Sequence, residues 1–221
     1  MVNTLEIDSV QKSFGYKSIL TDVYLKCQTG DIIGLLGRNG TGKSTLMKIV
    51  FGTMPTVEKF VAINGQKHDQ LFKIPGAVAY LPQHNFLVKN ITVNKAANLF
   101  IKDDLIADFF NDHILYSLRK NKVNQLSGGE LRYLEVMLLL YSDNKFVLLD
   151  EPFNGIAPVI IDELKKMIQM QSAKKGIILT DHDYNNVLDV ATRFCILFDG
   201  GIKSIGSKDD LVKYGYLTRS L

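Results

Sequence analysis

The run Gly37-Arg38-Asn39-Gly40-Thr41-Gly42-Lys43-Ser44 has the spacing G-x-x-x-x-G-K-[ST], and every fixed position in that spacing has a chemical reason. Its glycines let successive backbone N–H groups curl around an anion. Lys43 can reach the β- and γ-phosphates of a nucleotide, and the Ser44 hydroxyl can ligate Mg²⁺. The flanks suit the motif: Asp31 to Leu36 reads as a buried strand, and Thr45 to Phe51 has helical apolar spacing closed by Gly52. A glycine-rich turn carrying a surface lysine is the plain alternative, and the strand and helix on either side argue against it. Gly37, Asn39, Gly40, Thr41, Gly42, Lys43, Ser44 and Thr45 are the expected nucleotide-binding set.

Two further constellations concern the same chemistry. Gln125-Leu126-Ser127-Gly128-Gly129-Glu130 opens a helical run through Leu131 to Tyr141, with Ser127 at an N-cap position and two glycines exposing backbone N–H groups. That is a second anion-binding terminus. Lys145 to Leu149 is an apolar strand ending in Asp150 and Glu151, which places one acid near a metal ion and the next near an attacking water.

In this order the residues resemble the ATP-binding-cassette ATPase family. Gly37–Ser44 is similar to its Walker A loop, Leu81-Pro82-Gln83 to its glutamine loop and Leu126–Glu130 to its signature. Phe146–Asp150 with Glu151 is similar to its Walker B strand and catalytic glutamate, and His182 in Leu179-Thr180-Asp181-His182 to its switch histidine. The resemblance implies an α/β fold: a P-loop NTPase, RecA-like core with a parallel sheet, a small antiparallel β subdomain and a helical signature lobe. It divides the chain into core and β subdomain at about 1–83 and 145–221, with the lobe at about 84–144.

The resemblance also assigns roles. Glu151, His182 and Gln83 are catalytic, and Ser44, Gln83 and Asp150 hold Mg²⁺ with ATP. Ser127, Gly128, Gly129 and Glu130 act in trans on nucleotide held by a second cassette joined head to tail. Phe14 matches the aromatic that stacks on adenine, with Tyr16 as the alternative. Taken singly, Gln83 is an ordinary loop residue and His182 an ordinary structural histidine. Both follow apolar strands, Ala77–Leu81 and Gly176–Leu179, whose carboxyl ends are where open α/β sheets place ligands. His68, His84 and His113 lack metal-ligand spacing and are expected at the surface.

Composition bounds the rest. A chain of 221 residues, 46% hydrophobic, can bury one sizeable core and is too short for two cassettes. With 26 basic and 23 acidic residues, and no long basic run, no nucleic-acid surface is expected. Met1 to Asp8 shows no charged-then-apolar leader and no apolar run reaches the roughly eighteen residues of a span, so the expectation is a cytoplasmic chain, peripheral on the inner face of the cell membrane. Its partners would be a second cassette, identical or related, and polytopic permease subunits. Phe86, Leu87, Val88 and Ile91 are the candidates for a permease groove. A soluble enzyme of the same family acting on ribosomes or DNA is the competing class; its relatives carry paired cassettes or a long coiled coil. Cys27 and Cys195 are expected as buried thiols.

Strands joined at Gly15, together with Phe60 to Gly65, suggest the antiparallel subdomain. Thr92 to Lys122 has helical spacing, and Pro158–Gln171, Gly176–Thr180, Asn185–Val190 and Phe194–Phe198 alternate helix and strand. The chain departs from the family at three places: Ala157 stands where an aspartate usually touches the opposite subunit, Met137-Leu138-Leu139 replaces Ala-Arg-Ala, and Leu131 is read as an exposed apolar contact.

Overall fold

The computed structural model describes residues 2–216. Along the chain run β1 (Thr4–Phe14), β2 (Lys17–Gln28), β3 (Ile32–Leu36), α1 (Lys43–Phe51), β4 (Glu58–Ile63), β5 (Gln66–Lys67) and β6 (Val78–Leu81). Four helices follow: α2 (Val93–Phe100), α3 (Asp103–Phe109), α4 (His113–Leu118) and α5 (Gly128–Tyr141). The remainder alternates as β7 (Phe146–Asp150), α6 (Pro158–Ser172), β8 (Gly176–Thr180), α7 (Tyr184–Val190), β9 (Arg193–Phe198), β10 (Gly201–Ile205) and α8 (Lys208–Lys213).

Strands β3, β7 and β8 are buried at every position. Each must be apolar throughout because both faces are covered. Ile32, Leu36, Val147, Leu149, Ile177 and Leu179 point into a cluster with α2, α5 and α6, while Ile33, Leu35, Phe146, Leu148 and Ile178 point into a second with α1, β1 and β2. Fully burying one such side chain stabilises by about 1.5–3 kcal/mol, so the alternating faces lock these strands between two layers.

The strand order is β5-β4-β1-β2-β10-β9-β3-β8-β7-β6. Strands β9, β3, β8, β7 and β6 run parallel to one another, the doubly wound core expected from sequence. The antiparallel β1, β2 and β4 are likewise present. They are not a detached sheet, since β2 meets β10 at one parallel pair, Gly201 with Asp22. Strand β10 itself went unread in the sequence. It pairs antiparallel with β9 across Asp199-Gly200, whose φ of 47° and 76° make the two-residue hairpin that an Asp-Gly pair signals.

Helix α5 is apolar nearly all round, as its burial between the sheet and α2, α3 and α6 demands. Met137, Leu138 and Leu139 are buried there, so the lost arginine is absorbed by apolar packing; Leu131 is half-buried, not the exposed contact expected. Cys27 and Cys195 are free and buried. Burial raises both thiols, Cys195 to about 12. Among the described residues no helix is long and apolar enough to cross a membrane.

Candidate active site

Parallel strands deliver their loops to one edge. The loops after β3, β6, β7 and β8 carry Gly37–Ser44, Gln83, Asp150-Glu151 and Asp181-His182, the crevice position for ligands in an open α/β sheet. A cleft of about 300 Å³ there is lined by Phe14, Ile19, Asn39, Gly40, Gly42, Lys43, Ser44, Thr45, Gln83, Asp150 and Glu151. Helix α1 begins at Gly42, whose φ of 110° only glycine adopts readily, and a Cβ there would lie 2.6 Å from Ile19 Cγ2. The start of α1 has no side-chain cap and no acidic residue in its first turn, so its N–H groups and its positive end remain available to an anion. Lys43 Nζ donates to the carbonyls of Gly37 (2.6 Å) and Arg38 (3.2 Å), and burial pulls this ammonium below the ordinary lysine range while Asp150 and Glu151 oppose that pull.

Two adjacent carboxylates are held differently. Asp150 is buried; its Oδ1 accepts from Ser44 Oγ (3.0 Å) and its Oδ2 from the Tyr80 hydroxyl (3.2 Å). Burial raises its pKa above the ordinary carboxylate value, and both hydrogen bonds oppose the rise. Burial, reinforced by the charge and hydrogen bond of Asp150, pushes the Tyr80 phenol far above its ordinary value, so it remains a donor. Glu151 sits in the left-handed region at φ 56°, a conformation costing a non-glycine residue on the order of 1–3 kcal/mol and concentrated at functional sites. Its carboxylate accepts from Gln83 Nε2 (3.0 Å) and Asn154 Nδ2 (3.4 Å), and its N–H donates to Thr180 O (2.8 Å). Ser44, Asp150 and Gln83 offer hard oxygens suited to Mg²⁺, in the number that an ion bound mainly through nucleotide phosphates requires.

Helix α5 binds this edge from below through a charged pair that sequence reasoning did not single out. Arg132, 4% exposed, donates to the carbonyl oxygens of Pro82, Asp150 and Glu151. One turn on, Glu135 Oε1 accepts from the N–H groups of Phe86 (2.7 Å) and Leu87 (3.3 Å). The loop holding Gln83 is thus tied to one face of α5 on both sides of that glutamine. Two charges three residues apart in the otherwise apolar run Leu131 to Tyr141 were the available signal. Tyr80 and Asn154 were also missed, and their residue types alone carry none.

Ser127, Gly128, Gly129 and Glu130 do not line this cleft. Ser127 caps α5 as expected, with Glu130 N donating to its Oγ (3.3 Å), and Glu130 Oε2 accepts from Ser127 N (2.8 Å) and Oγ (2.7 Å). A Cβ on Gly129 would lie 2.5 Å from Gly155 O, so the signature packs directly on the loop after Glu151. His182 is also outside the cleft lining. Its Nδ1 lies 3.2 Å from Asp181 Oδ1, and buried Asp181 accepts from Phe153 N (3.1 Å) and Asp183 N (3.1 Å). Phe14, 52% exposed, borders the cleft, whereas Tyr16 projects into solvent. His84 and His113 are exposed and His68 half-buried.

A second, apolar groove of about 580 Å³ runs between core and helical lobe, walled by Phe51, Phe72, Tyr80, Pro82, Phe86 and Phe100 among others. Of the four groove candidates Phe86 lines this groove; Phe86, Leu87 and Ile91 are half-buried against the core cluster and Val88 is exposed, while most of the groove comes from α1 and β6.

A glycine-rich loop between a parallel strand and a helix, with an acidic pair at the end of the strand next but one, defines a P-loop nucleoside triphosphatase. Within that class the chain belongs to the ABC transporter family. A family model described as ABC transporter matches residues 20–154. The chain is 32% identical to the lipopolysaccharide export system ATP-binding protein LptB of Haemophilus influenzae, covering 98% of each, and 31% identical to that of Escherichia coli strain K12, covering 98% of this chain and 95% of the relative. A solved ATP-binding subunit of an ABC transporter superposes with a TM-score of 0.81 at 24% identity, covering 98% of this chain and 95% of that one, and bears on the fold.

Proposed function

We propose that this chain is the ATP-hydrolysing subunit of a membrane transporter of the lipopolysaccharide-export type, working as a head-to-tail pair of cassettes. The observation that carries the reading is Glu151, held in a left-handed conformation at the mouth of the phosphate cleft, with Gln83 and Asn154 on its two oxygens. In this reading ATP lies with its base on Phe14 and its phosphates over Asn39, Gly40, Thr41, Gly42, Lys43 and Thr45. Gly37 sets the turn. Ser44, Gln83 and, through water, Asp150 would hold Mg²⁺, which neutralises phosphate charge when bound.

Glu151 accepts a proton from, or orients, the attacking water, and His182, aligned by Asp181, donates to the γ-phosphate. Both residues face solvent enough to complete their contacts only when a second cassette closes on them. That cassette supplies Ser127, Gly128, Gly129 and Glu130, which explains why a phosphate-binding terminus stands outside the cleft. The apolar groove beside Gln83 takes a short helix of a polytopic permease, holding the chain on the membrane's inner face. A ribosome- or DNA-directed role is less well supported: the lobe helices α2, α3 and α4 span only 8, 7 and 6 residues, without a coiled coil.

Glu151→Gln tests the reading. The amide keeps the shape and cannot take a proton, so steady-state hydrolysis should fall on the order of a hundredfold or more while MgATP affinity stays within a few-fold. ATP should also trap a dimer detectable by light scattering. Turnover above half the parental rate removes Glu151 from the catalytic role.

A further inference from the structure

Strand β6 carries one side chain that belongs to both concavities. The Tyr80 hydroxyl donates to Asp150 Oδ2 at 3.2 Å, while Ser44 occupies the other oxygen, Oδ1, at 3.0 Å. The ring of the same tyrosine walls the apolar groove. There it packs on Phe51 with centroids 5.4 Å apart, and Phe51 packs on Phe72 at 5.8 Å. Phe72 is 42% exposed, so the row of three rings runs from solvent at the groove to the phenol at the carboxylate. A tyrosine suits such a position because its body is apolar and its tip polar.

Resting on the ATPase reading above, we propose that Tyr80 is a positioning residue that fixes the orientation of Asp150 and so links the Mg²⁺ requirement of the nucleotide site to the packing of the groove. Asp150 has two oxygens and two protein donors, and the phenol is the donor that does not itself belong to the phosphate loop. With Oδ2 held by Tyr80, the carboxylate plane is set before nucleotide arrives. If the ring shifts when the groove is filled, the hydroxyl shifts with it, and the carboxylate is re-aimed without any movement of β7. Outer-shell hydrogen bonds around a metal site matter typically 10- to 100-fold in metal affinity.

The test uses the full chain and Mg²⁺ itself. Tyr80→Phe keeps the ring and its packing and deletes only the hydroxyl. We expect the Mg²⁺ concentration giving half-maximal binding of a fluorescent ATP analogue to rise about tenfold, at the low end of that range. Nucleotide affinity without Mg²⁺ and the unfolding temperature should stay at parental values. Phe51→Leu, which removes the ring partner of Tyr80 away from the cleft, should move the same midpoint in the same direction by a smaller factor. A Tyr80→Phe midpoint within twofold of the parent's overturns the proposal. An unchanged midpoint in Phe51→Leu alone overturns its link to the groove. Failure of the parental chain to bind MgATP at all would instead sink the ATPase reading, a separate outcome in the same titration.

Discussion

Helices α1 and α5 both begin where a glycine-rich segment turns into a helix, yet their N-termini are finished in opposite ways. At α1 the cap is Gly42, with no side chain on the free N–H groups and no acid in the first turn, and Lys43 adds a positive charge. At α5 the cap is Ser127 in a closed capping box, and the Glu130 carboxylate already sits on the positive end of the helix. One terminus is built to need an anion from outside and the other supplies its own. The difference teaches that the first is open to a phosphate within a single chain, whereas under the proposed head-to-tail pairing the second would meet a partner's phosphate with Glu130 already at its donors.

The sharpest way to break that comparison is to disable each terminus in turn. Lys43→Ala removes a charge-assisted contact to phosphate, which is worth about 1.5–3 kcal/mol, so ATP affinity of the isolated chain should fall on the order of tenfold to a hundredfold. Ser127→Arg, at an exposed position outside the cleft, should leave that affinity within a few-fold and suppress turnover by obstructing the paired state. Equilibrium binding and steady-state hydrolysis on both variants separate the two defects. Equal loss of affinity in both would put Ser127 and Lys43 in one pocket.

How far this arrangement could be read from sequence follows the same division. Motifs set by backbone geometry were legible: the glycines of the P-loop, the Ser127 cap and the buried strands β3, β7 and β8 have patterns local enough to recognise. What escaped depends on contacts between distant segments. Tyr80 meets Asp150 across 70 positions, and Glu135 reaches Phe86 across 49. No periodicity in either segment records the meeting. The apolar groove went unread for a related reason, since it joins Phe51, Phe72 and Tyr80 with Phe86 and Phe100 from separate segments of the chain. The β9–β10 hairpin is different, because its Asp199-Gly200 signal was present and went unused.

A smaller effect is expected at Ala157, the departure from the family that ends the loop after Glu151. It is exposed, caps α6 without any side-chain hydrogen bond, and is followed by Pro158 at the first helical position. Ala157→Asp should therefore supply the missing cap and stabilise the chain by about 1 kcal/mol, raising the unfolding temperature by roughly 2–4 °C for a domain of this size. In the paired enzyme the same carboxylate would face the opposing cassette, so hydrolysis should be preserved or raised. Activity collapsing to the level of Glu151→Gln, with the stability gain intact, would show that the interface here is built around the alanine.

The smallest change probes the self-supplied anion directly. Glu130→Gln keeps an oxygen to accept from Ser127 N–H, so the capping box can persist, but it removes the negative charge from the start of α5. That charge is worth about 0.3–1 kcal/mol to the helix, and it opposes a phosphate arriving at the same donors. The variant should be marginally less stable, with ATP affinity of the single chain unchanged. ATP-trapped dimerisation, measured by light scattering in a Glu151→Gln background, should tighten by a few-fold because a phosphate would no longer displace a like charge. Weaker dimerisation would mean that Glu130 contributes a contact to the paired state, and that α5 is closed by its carboxylate in order to be used by the partner with that carboxylate in place.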